Sequence, residues 1–319
     1  MNIKLVQTMM PSQTRSVLSQ ISQAITAREH DGTKRWSMSD QARSVRRSEN
    51  KILQSLARGE PLLSLGIRNA RTAEIVRIAK TAGFGIVWID LEHSSISIDC
   101  AVQISATAAD LGMEAWVRVP EREYGVIGRL LDGGVTGIVA PRVETAEEAQ
   151  QIVNAARFPP RGYRSQIALL PQVEYRKVPA AELMVEADRA TTIHILLESA
   201  KGIDNAAAIA AIDGVDILHV GMNDLSVDLG HVGNLRHPDM LVACKRVIAA
   251  AHGHGKLAVA GGSSDPGLCL ELLLAGAAPI IFAAIDTDVL SAGLNQRSKD
   301  WTQRTDEWRR QLLARSDAI

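Results

Sequence analysis

After residue 50 the chain alternates short apolar segments with longer segments of helical periodicity, and this alternation repeats eight times. Apolar residues fill consecutive positions in most of the short segments, which is typical of parallel strands buried on both faces. Eight strand–helix units in residues 51–300 predict an α/β fold, a (β/α)8 TIM barrel. The alternative is an open doubly wound sheet, but no GxGxxG motif follows the first predicted strand. The predicted strands are residues 62–68, 85–90, 114–119, 137–141, 194–199, 216–221, 256–261 and 279–285.

The N-terminal region differs from this repeat. Residues 1–50 contain no acidic residue before Glu29, and residues 14–28 have the spacing of a short amphipathic helix. We predict an N-terminal extension outside the barrel, which is either a flexible arm or a targeting segment of the mitochondrial type. The expected location is therefore the cytoplasm, with the mitochondrion as the alternative.

Two further segments do not fit a simple strand–helix repeat. Residues 142–193 are too long for one helix, so part of this connection is predicted to be a long ordered loop. Residues 301–319 place Trp301, Trp308 and Leu312 at near-helical spacing. This predicts a C-terminal helical tail that packs on another helix, in the same subunit or in a neighbouring one.

Overall composition excludes several classes of protein. The formal net charge is −1 and the pI is about 6.7, so the chain lacks the positive charge that binds nucleic acid or an anionic membrane surface. No long uncharged apolar segment predicts a transmembrane helix. Cys100, Cys244 and Cys269 fit no zinc spacing, and they are predicted to be buried thiols in a reducing compartment.

Charged residues gather where the predicted strands end. The second strand ends in Asp90, Glu92 and His93, the third in Arg118 and the fifth in Glu198. The sixth strand continues into the segment 221–224, which holds Gly221, Asn223 and Asp224. Because a barrel enzyme carries its active site at the carboxyl ends of its strands, these side chains are predicted to share one site.

A metal site is the first chemical prediction from this set. Glu198 and Asp224 would face each other from adjacent strands, where two like charges are costly without a cation. A hard divalent cation such as Mg²⁺ or Mn²⁺ prefers carboxylate oxygens and keeps positions open for water and substrate. The alternative is that each carboxylate caps the helix that follows it.

An acid–base pair and an anion clamp are the second prediction. His93 beside Asp90 has the residue types of a general base and the carboxylate that orients it. The planar guanidinium of Arg118 suits a carboxylate or an enolate oxygen, although an ion pair with Glu114 or Glu121 is the alternative.

Other histidines and the lysines fit this chemistry less well. His194 and His219 are expected to be histidines satisfied by polar neighbours. A Schiff-base mechanism needs a lysine near a strand end inside the barrel, and Lys80, Lys201 and Lys256 are poorly placed for it. Metal chemistry is therefore preferred.

These residues lie in motifs that resemble the HpcH/HpaI aldolase family, the class II pyruvate aldolases, and the related citrate lyases. The elements DLEH and GxNDLSxDLG are the most specific of them. Together the motifs cover nearly the whole predicted barrel, about residues 50–297. In family order they are IDLEHSS, VRVPE, FPPRGYRS, LLESAKGIDNAAAIAAIDGVD, VGMNDLSVDLGHVGN with RHPD, and FAAIDTDVL.

The resemblance implies a (β/α)8 barrel that forms hexamers and exchanges its C-terminal helix between neighbours. It implies a carbon–carbon lyase that cleaves or forms 4-hydroxy-2-oxo acids from pyruvate and an aldehyde, with Mg²⁺, Mn²⁺ or Co²⁺. In this resemblance Glu198 and Asp224 are the metal ligands, and Glu92 contacts a metal-bound water. His93 is the base, Asp90 is its partner, and Arg118 stabilises the enolate. Gly221 and the N–H groups of Asn223 and Asp224 bind the substrate carboxylate.

Several positions depart from the family pattern around this site. Leu196 stands where a glutamine is frequent, Met222 replaces a proline, and Ser64 replaces an aromatic residue on the first strand. Ser165 follows the loop arginine in place of glycine, and Arg142 follows Pro141 where an apolar residue is common. These departures leave the identity of the aldehyde open.

Three alternative functions remain at this point. The same site would serve oxaloacetate decarboxylation, as in macrophomate-synthase-like relatives. A CoA-ester lyase would need a basic CoA-binding surface, which is not evident, and a non-catalytic barrel would not need the set of site residues. The expected partners are small 2-oxo acids, aldehydes and further copies of the chain, with no nucleic acid and no membrane.

Overall fold

The computed structural model describes residues 60–316. The predictions for the N-terminal extension lie outside the described residues. All eight predicted strands are confirmed within that part, and their bounds agree with the prediction to within two residues. The strands are β1 (Leu62–Ile67), β2 (Ile86–Asp90), β3 (Glu114–Arg118), β4 (Gly137–Ala140), β5 (Thr192–Leu197), β6 (Ile217–Gly221), β7 (Leu257–Gly261) and β8 (Ile280–Ile285).

Helices connect the strands and cover the outside of the sheet. Local sequence fixes several of their starts: Thr145 and Glu148 form a reciprocal capping box, and the Asp265 side chain accepts the N–H of Gly267. The helices are α1 (Glu74–Thr81), α2 (Ile98–Asp110), α3 (Gly125–Asp132), α4 (Ala146–Ala156), α5 (Ala180–Arg189), α6 (Ala200–Asp204), α7 (Ala206–Ala210), α8 (Met222–Asp228), α9 (Pro238–Gly253), α10 (Pro266–Leu274) and α11 (Asp286–Ser316).

The eight strands form one parallel sheet that closes almost completely into a barrel. Their order is β7-β6-β5-β4-β3-β2-β1-β8, so sequence neighbours pair and β1 pairs with β8. Next to the remaining seam, the N–H of Ala278 donates to the Ala258 carbonyl across 2.7 Å. The predicted (β/α)8 barrel is confirmed, and the doubly wound alternative is wrong because the strand order never reverses.

Two hydrophobic cores follow from the period-two alternation of the strands. Ile89 and Val117 point outward into the larger core, between the sheet and the helices. Trp88 and Trp116 point inward and fill the barrel interior with residues from the other strands. Because every second residue faces the interior, the residues two positions later stand one layer nearer the carboxyl end.

Residues 142–193 form the long ordered connection that the sequence predicts. They contain α4, a short 3-10 helix (Pro171–Val173) and α5. The buried Arg157 organises this segment, because its guanidinium donates to the carbonyls of Asp188 at 2.6 Å and Thr191 at 3.1 Å. Buried arginines that bind several carbonyls keep such a segment in one conformation.

The C-terminal helix α11 is longer than predicted. It begins at Asp286 rather than near residue 301, and it extends for 31 residues. The Asp286 carboxylate accepts the N–H groups of Arg68, Asn69 and Ala70, which ties the helix start to the end of β1. Trp301 is 68% exposed. Among the described helices, none is long and apolar enough to cross a membrane.

Candidate active site

The predicted site residues meet at the carboxyl ends of the strands. Asp90 and Arg118 end β2 and β3 and are register partners. Glu198 directly follows β5, and Asp224 lies in the first turn of α8. Together with His93, Arg118, Glu198 and Asp224 line a cavity of about 710 Å³. Side chains separated by up to 131 positions, from His93 to Asp224, therefore share one pocket.

Asp90 is the most heavily hydrogen-bonded carboxylate of the site. It is fully buried. Its Oδ1 accepts hydrogen bonds from Arg118 Nε at 2.9 Å and from the backbone N–H groups of Glu92 and His93. Its Oδ2 accepts hydrogen bonds from Arg118 Nη2 at 2.6 Å and from Arg68 Nε at 2.7 Å. Burial raises the pKa of this carboxyl, but the Arg118 hydrogen bonds and charge outweigh it, so the pKa lies below its usual value.

The predicted contact between Asp90 and the imidazole of His93 is wrong. The only hydrogen bond that His93 makes to Asp90 is through its backbone N–H. The His93 Nε2 lies 3.8 Å from the carboxylate of Glu92 instead. The reason is the turn after β2, which aims backbone N–H groups at Asp90 while the two guanidinium groups occupy its outer lone pairs. The His93 side chain is 49% exposed and lines the cavity.

Arg118 is a buried cation held between two carboxylates. Its Nη1 lies 3.0 Å from Glu92 Oε2, on the opposite side from Asp90, and its guanidinium stacks over Trp88 at 4.9 Å. Burial raises the pKa of the Glu92 carboxyl, although the charge of Arg118 opposes this shift. The alternative ion pairs of Arg118 with Glu114 or Glu121 are wrong, because the guanidinium points into the barrel mouth.

Glu198 and Asp224 form the second charged group. Glu198 is 8% exposed, and its Oε2 accepts the backbone N–H of Arg142 at 3.1 Å. Gly221 makes room for the carboxylate, because a Cβ there would lie 2.5 Å from Glu198 Oε1. The helix-cap alternative is wrong for both, since Ser199 caps α6 and the N-cap of α8 is Gly221.

Arg142 takes a larger part in the site than its sequence position indicated. Its backbone has a φ of 53°, in the left-handed region that non-glycine residues seldom adopt. This conformation directs its N–H at Glu198, and its guanidinium lies 3.6 Å from Asp224 and 3.8 Å from Glu121. The only signal in the sequence was a charged residue directly after a strand end and Pro141.

The donor set fits a hard divalent cation. Burial, together with the neighbouring Asp224 charge, raises the pKa of Glu198 to about 7. Two carboxylates that disfavour each other's charge are compatible when a cation shares them, and oxygen ligands suit Mg²⁺ and Mn²⁺. The backbone N–H of Arg142 already orients one oxygen of Glu198, as expected for an ordered ligand.

The segment predicted to bind a substrate carboxylate lies beside these oxygens. Gly221 is the N-cap of α8, and Asn223 and Asp224 lie in its first turn, where the N–H groups of a helix have no partner within the helix. All three residues line the cavity. Their role in substrate binding stays a prediction.

The two interior histidines differ from the expectation. His194 and His219 are buried within the barrel, and no hydrogen-bond partner for either Nδ1 exists among residues 60–316. His194 Nε2 lies 2.9 Å from Thr192 Oγ1, whereas His219 lines the cavity. The expectation of polar neighbours is therefore confirmed for His194 Nε2 but wrong for the two Nδ1 atoms, because the sequence could not show that both rings face the barrel interior.

A separate histidine cluster lies outside the barrel mouth. His231, His237 and Asp239 bring their ligand atoms within 4.8 Å of one another. The two rings are stacked with centroids 3.4 Å apart, and His237 Nδ1 accepts the N–H of Asp239 at the start of α9. Parallel stacked rings cannot aim both lone pairs at one ion, so this cluster serves as a helix cap.

No lysine lines the cavity within the described part of the chain. Lys201 lies outside it and its Nζ donates to Glu144 at 2.9 Å. The sequence prediction against imine chemistry therefore agrees with the arrangement of the side chains.

Fold and site together define a barrel enzyme of the carbon–carbon lyase class. The family described as HpcH/HpaI aldolase/citrate lyase matches residues 68–289, and the chain belongs to this family. The resemblance seen in the sequence motifs is thereby confirmed.

Named relatives agree with this assignment. A 4-hydroxy-4-methyl-2-oxoglutarate aldolase of Hapsidospora irregularis is 39% identical over 211 residues, which is 66% of this chain and 78% of the relative. A 5-keto-4-deoxy-D-glucarate aldolase of Shigella boydii serotype 18 is 37% identical over 178 residues, which is 55% of this chain and 67% of the relative. The crystal structure of the HpcH/HpaI aldolase from Desulfitobacterium hafniense DCB-2 has a TM-score of 0.72 and 26% identity, and the match covers 77% of this chain and 95% of that one.

Proposed function

We propose that this protein is a metal-dependent aldolase that cleaves or forms 4-hydroxy-2-oxo acids, with a pyruvate-type enolate and an aldehyde or ketone as the two halves. The observation that carries the proposal is the pair Glu198 and Asp224 facing the buried Arg118 across one cavity. An anionic enolate needs positive charge on both sides: Arg118 supplies it on one side, and a divalent cation held by the two carboxylates would supply it on the other. The aldolase relatives support the same reaction class.

Glu198 and Asp224 would hold the metal ion, which is Mg²⁺, Mn²⁺ or Co²⁺. When bound, such an ion supplies a Lewis acid that polarises the 2-oxo group. The N–H groups of Asn223 and Asp224 would bind the substrate carboxylate at the start of α8. Arg118, fixed by Asp90 and Glu92, would stabilise the enolate oxygen without moving.

His93 would exchange the proton of the 4-hydroxyl group. Its half-exposed ring lines the cavity and can reach both substrate and solvent, and its Nε2 lies 3.8 Å from the Glu92 carboxylate. During cleavage the C4 hydroxyl gives its proton to His93, and the C3–C4 bond breaks. The aldehyde leaves the cavity, and the enolate takes up at C3 the proton that His93 received, which returns His93 to its starting state.

The test is the substitution His93→Ala in a coupled assay for pyruvate release. Loss of a general base lowers the turnover number by about 10²–10⁴-fold. The matched control is His254→Ala, because His254 is exposed at the end of α9 and far from the site in the fold. A His93→Ala enzyme that keeps more than half of the wild-type turnover would refute the proposed role.

Removal of the metal distinguishes this chemistry from imine chemistry. Activity should disappear in EDTA and return with Mg²⁺, Mn²⁺ or Co²⁺, whereas unchanged activity in EDTA would contradict the proposal. The same assay with oxaloacetate measures decarboxylation, which the enolate site would also support.

We also propose that the protein is a homo-oligomer, a hexamer by family resemblance. The helix α11 supports this proposal, because its Trp301, Trp308 and Leu313 side chains are exposed. Exposure of several large apolar side chains on one helix is unfavourable in water, and a neighbouring subunit would cover them. Light scattering at several protein concentrations tests it, and a monomer throughout would contradict it.

A further inference from the structure

Arg68 is a cavity-lining arginine that takes no part in the proposed reaction steps. It directly follows β1, two positions after Gly66, and both residues line the cavity. Two positions along a strand return to the same face, so Arg68 stands on the interior side of the barrel, nearer the mouth than Gly66. Its backbone N–H donates to the Asp286 carboxylate at 3.0 Å, which ties this end of β1 to the start of α11.

Only one edge of the Arg68 guanidinium is used within the protein. Its Nε donates to Asp90 Oδ2 at 2.7 Å, next to Arg118 Nη2, which donates to the same oxygen at 2.6 Å. Neither Nη1 nor Nη2 of Arg68 has a hydrogen-bond or ion-pair partner among residues 60–316. The side chain is 33% exposed and neither nitrogen is among the buried polar atoms, so both remain accessible. The inner edge of the guanidinium is therefore anchored, and its outer pair of donors is free.

The other arginine of the cavity has no comparable free edge. Arg118 donates to Asp90 through Nε and Nη2, and its Nη1 lies 3.0 Å from Glu92. Glu92 thus adds a second carboxylate on the Arg118 side, whereas Arg68 meets only Asp90. Asp288 also lines the cavity, but within the described residues it forms no ion pair with Arg68. Arg68 is the guanidinium that can accept a further anion.

The strand order places this free edge at the far end of a bound substrate. Strands β5 and β1 are four strands apart, so in a closed barrel of eight they stand on opposite sides of the mouth. Glu198 and Asp224 belong to the β5 and β6 side, and His93 follows β2, next to β1. A 2-oxo acid held at C1 and C2 by the carboxylate pair, with its C4 hydroxyl at His93, extends its remaining carbons towards Arg68.

The guanidinium chemistry selects the group that it binds. An arginine keeps its charge at every physiological pH, and its planar fork of N–H donors matches the two oxygens of a carboxylate. A hydroxyl group offers a single oxygen and no charge, and a methyl group offers neither. A phosphate would bring a second negative charge close to Asp90 and Asp288, which disfavours it. A carboxylate is the group that fits.

We propose that Arg68 binds a carboxylate on the aldehyde or ketone half of the substrate, so that the enzyme prefers 4-hydroxy-2-oxo dicarboxylic acids over their monocarboxylic analogues. This inference rests on the proposed aldolase function. Asp90 holds the guanidinium in place through Nε, and the two Nη groups meet the substrate. Support of Asp90 alone would be a different role, because its loss would lower activity on both classes of substrate alike.

The experiment measures kcat/KM for pyruvate release by the Mn²⁺ enzyme from two matched pairs of substrates. 4-Hydroxy-2-oxoglutarate is paired with 4-hydroxy-2-oxopentanoate, and 4-hydroxy-2-oxohexanedioate with 4-hydroxy-2-oxohexanoate, so that within each pair a carboxylate replaces a methyl group. The wild type should favour the dicarboxylic acid in at least one pair. Arg68→Gln should lower that ratio about tenfold or more, because a charge-assisted hydrogen bond to the substrate is lost. Arg68→Lys keeps the charge without the fork and should retain part of the preference.

Arg71→Gln is the matched control. Arg71 lies three positions further on and is exposed, its side chain donates to Ser95 Oγ at 3.0 Å, and it does not line the cavity. Its substrate ratio should equal that of the wild type. The ratio within one variant is independent of how much of that variant folds, so partial misfolding does not imitate the effect.

Calorimetry with compounds that lack the C4 hydroxyl provides a second measurement. 2-Oxoglutarate should bind the Mn²⁺ enzyme more tightly than 2-oxopentanoate, and Arg68→Gln should remove the difference. A wild-type enzyme without preference in both measurements, or a ratio in Arg68→Gln equal to that in Arg71→Gln, would overturn the inference. Absence of turnover with all four substrates would refute the proposed function instead, and calorimetry would still decide the inference.

Discussion

The substitution Asp90→Asn tests whether the buried pair with Arg118 holds the site together. The asparagine keeps the shape of the side chain but removes its charge. The asparagine Oδ1 can still accept the N–H groups of Glu92 and His93. Its Nδ2 then faces Arg118 Nη2 and Arg68 Nε, and all three of these nitrogens are hydrogen-bond donors. The buried Arg118 is then left without its main counter-ion.

The expected loss of stability is large for a single substitution. Removing one partner of a buried, hydrogen-bonded ion pair costs about 3–5 kcal/mol of unfolding free energy. For a domain of this size, 1 kcal/mol lowers Tm by about 2–4 °C, so Asp90→Asn should melt roughly 6–20 °C below the wild type. Urea unfolding followed by circular dichroism at pH 7.5 gives the free energy directly.

A surface pair provides the control for this prediction. Asp204 pairs with Arg246 and both side chains are more than half exposed, so Asp204→Asn should be nearly neutral. Because the pKa of Asp90 is lowered in the folded state, its stabilisation is present above the carboxyl's unfolded pKa and is lost as pH falls through the folded pKa. The difference between wild type and Asp90→Asn should therefore shrink on acidification. A loss below about 1 kcal/mol at pH 7.5 would refute the reasoning.

Three further predictions concern the metal, a titrating histidine and the packing of the barrel. Glu198→Gln should raise the Mn²⁺ concentration for half-maximal activity by more than about 100-fold, since loss of a group that only supports a ligand already costs 10–100-fold; an unchanged titration would contradict its role. The folded-state pKa of His219 is depressed by burial, so its contribution to stability is lost as pH falls below its unfolded value. The stability lost between pH 7.5 and 5.5 should be about 1.4 kcal/mol smaller in His219→Phe, measured by urea unfolding, and an identical loss would show that the ring is not held neutral. Gly137→Ala should cost about 1–3 kcal/mol because its Cβ would lie 2.3 Å from Trp116 Cδ1, and an unchanged thermal midpoint would contradict this packing.

Most of the fold could be predicted because its signals are local. A strand such as β2 is apolar on both faces, and the helical segment after it has its own periodicity, so element type and order follow without long-range information. Helix α11 shows the limit of this reasoning. Its polar sequence between Asp286 and residue 300 carries little periodic signal, and its start is fixed by the contact of Asp286 with the end of β1.

The candidate site was predicted as a set of residues but only partly as a set of contacts. Asp90 and His93 are close in sequence, which favoured a pair between their side chains, but the turn between them brings only a backbone N–H to the carboxylate. Arg68 reaches Asp90 from another strand. The N–H of Arg142 binds Glu198, which lies 56 positions away in the sequence. This contact depends on the positive φ of Arg142, which its residue type does not predict.

The sequence by itself determined which segments become strands, that they form a parallel barrel, and which ends of those strands carry charge, because period and composition are properties of short segments. Only the tertiary structure decided which charges neutralise each other and which polar atoms stay unpaired. Asp90 meets Arg118, and Trp88 joins His219 below them, only because closing the barrel brings distant strands together. Hydrogen bonding and desolvation depend on those neighbours, so the chemistry of the site is a property of the closed barrel.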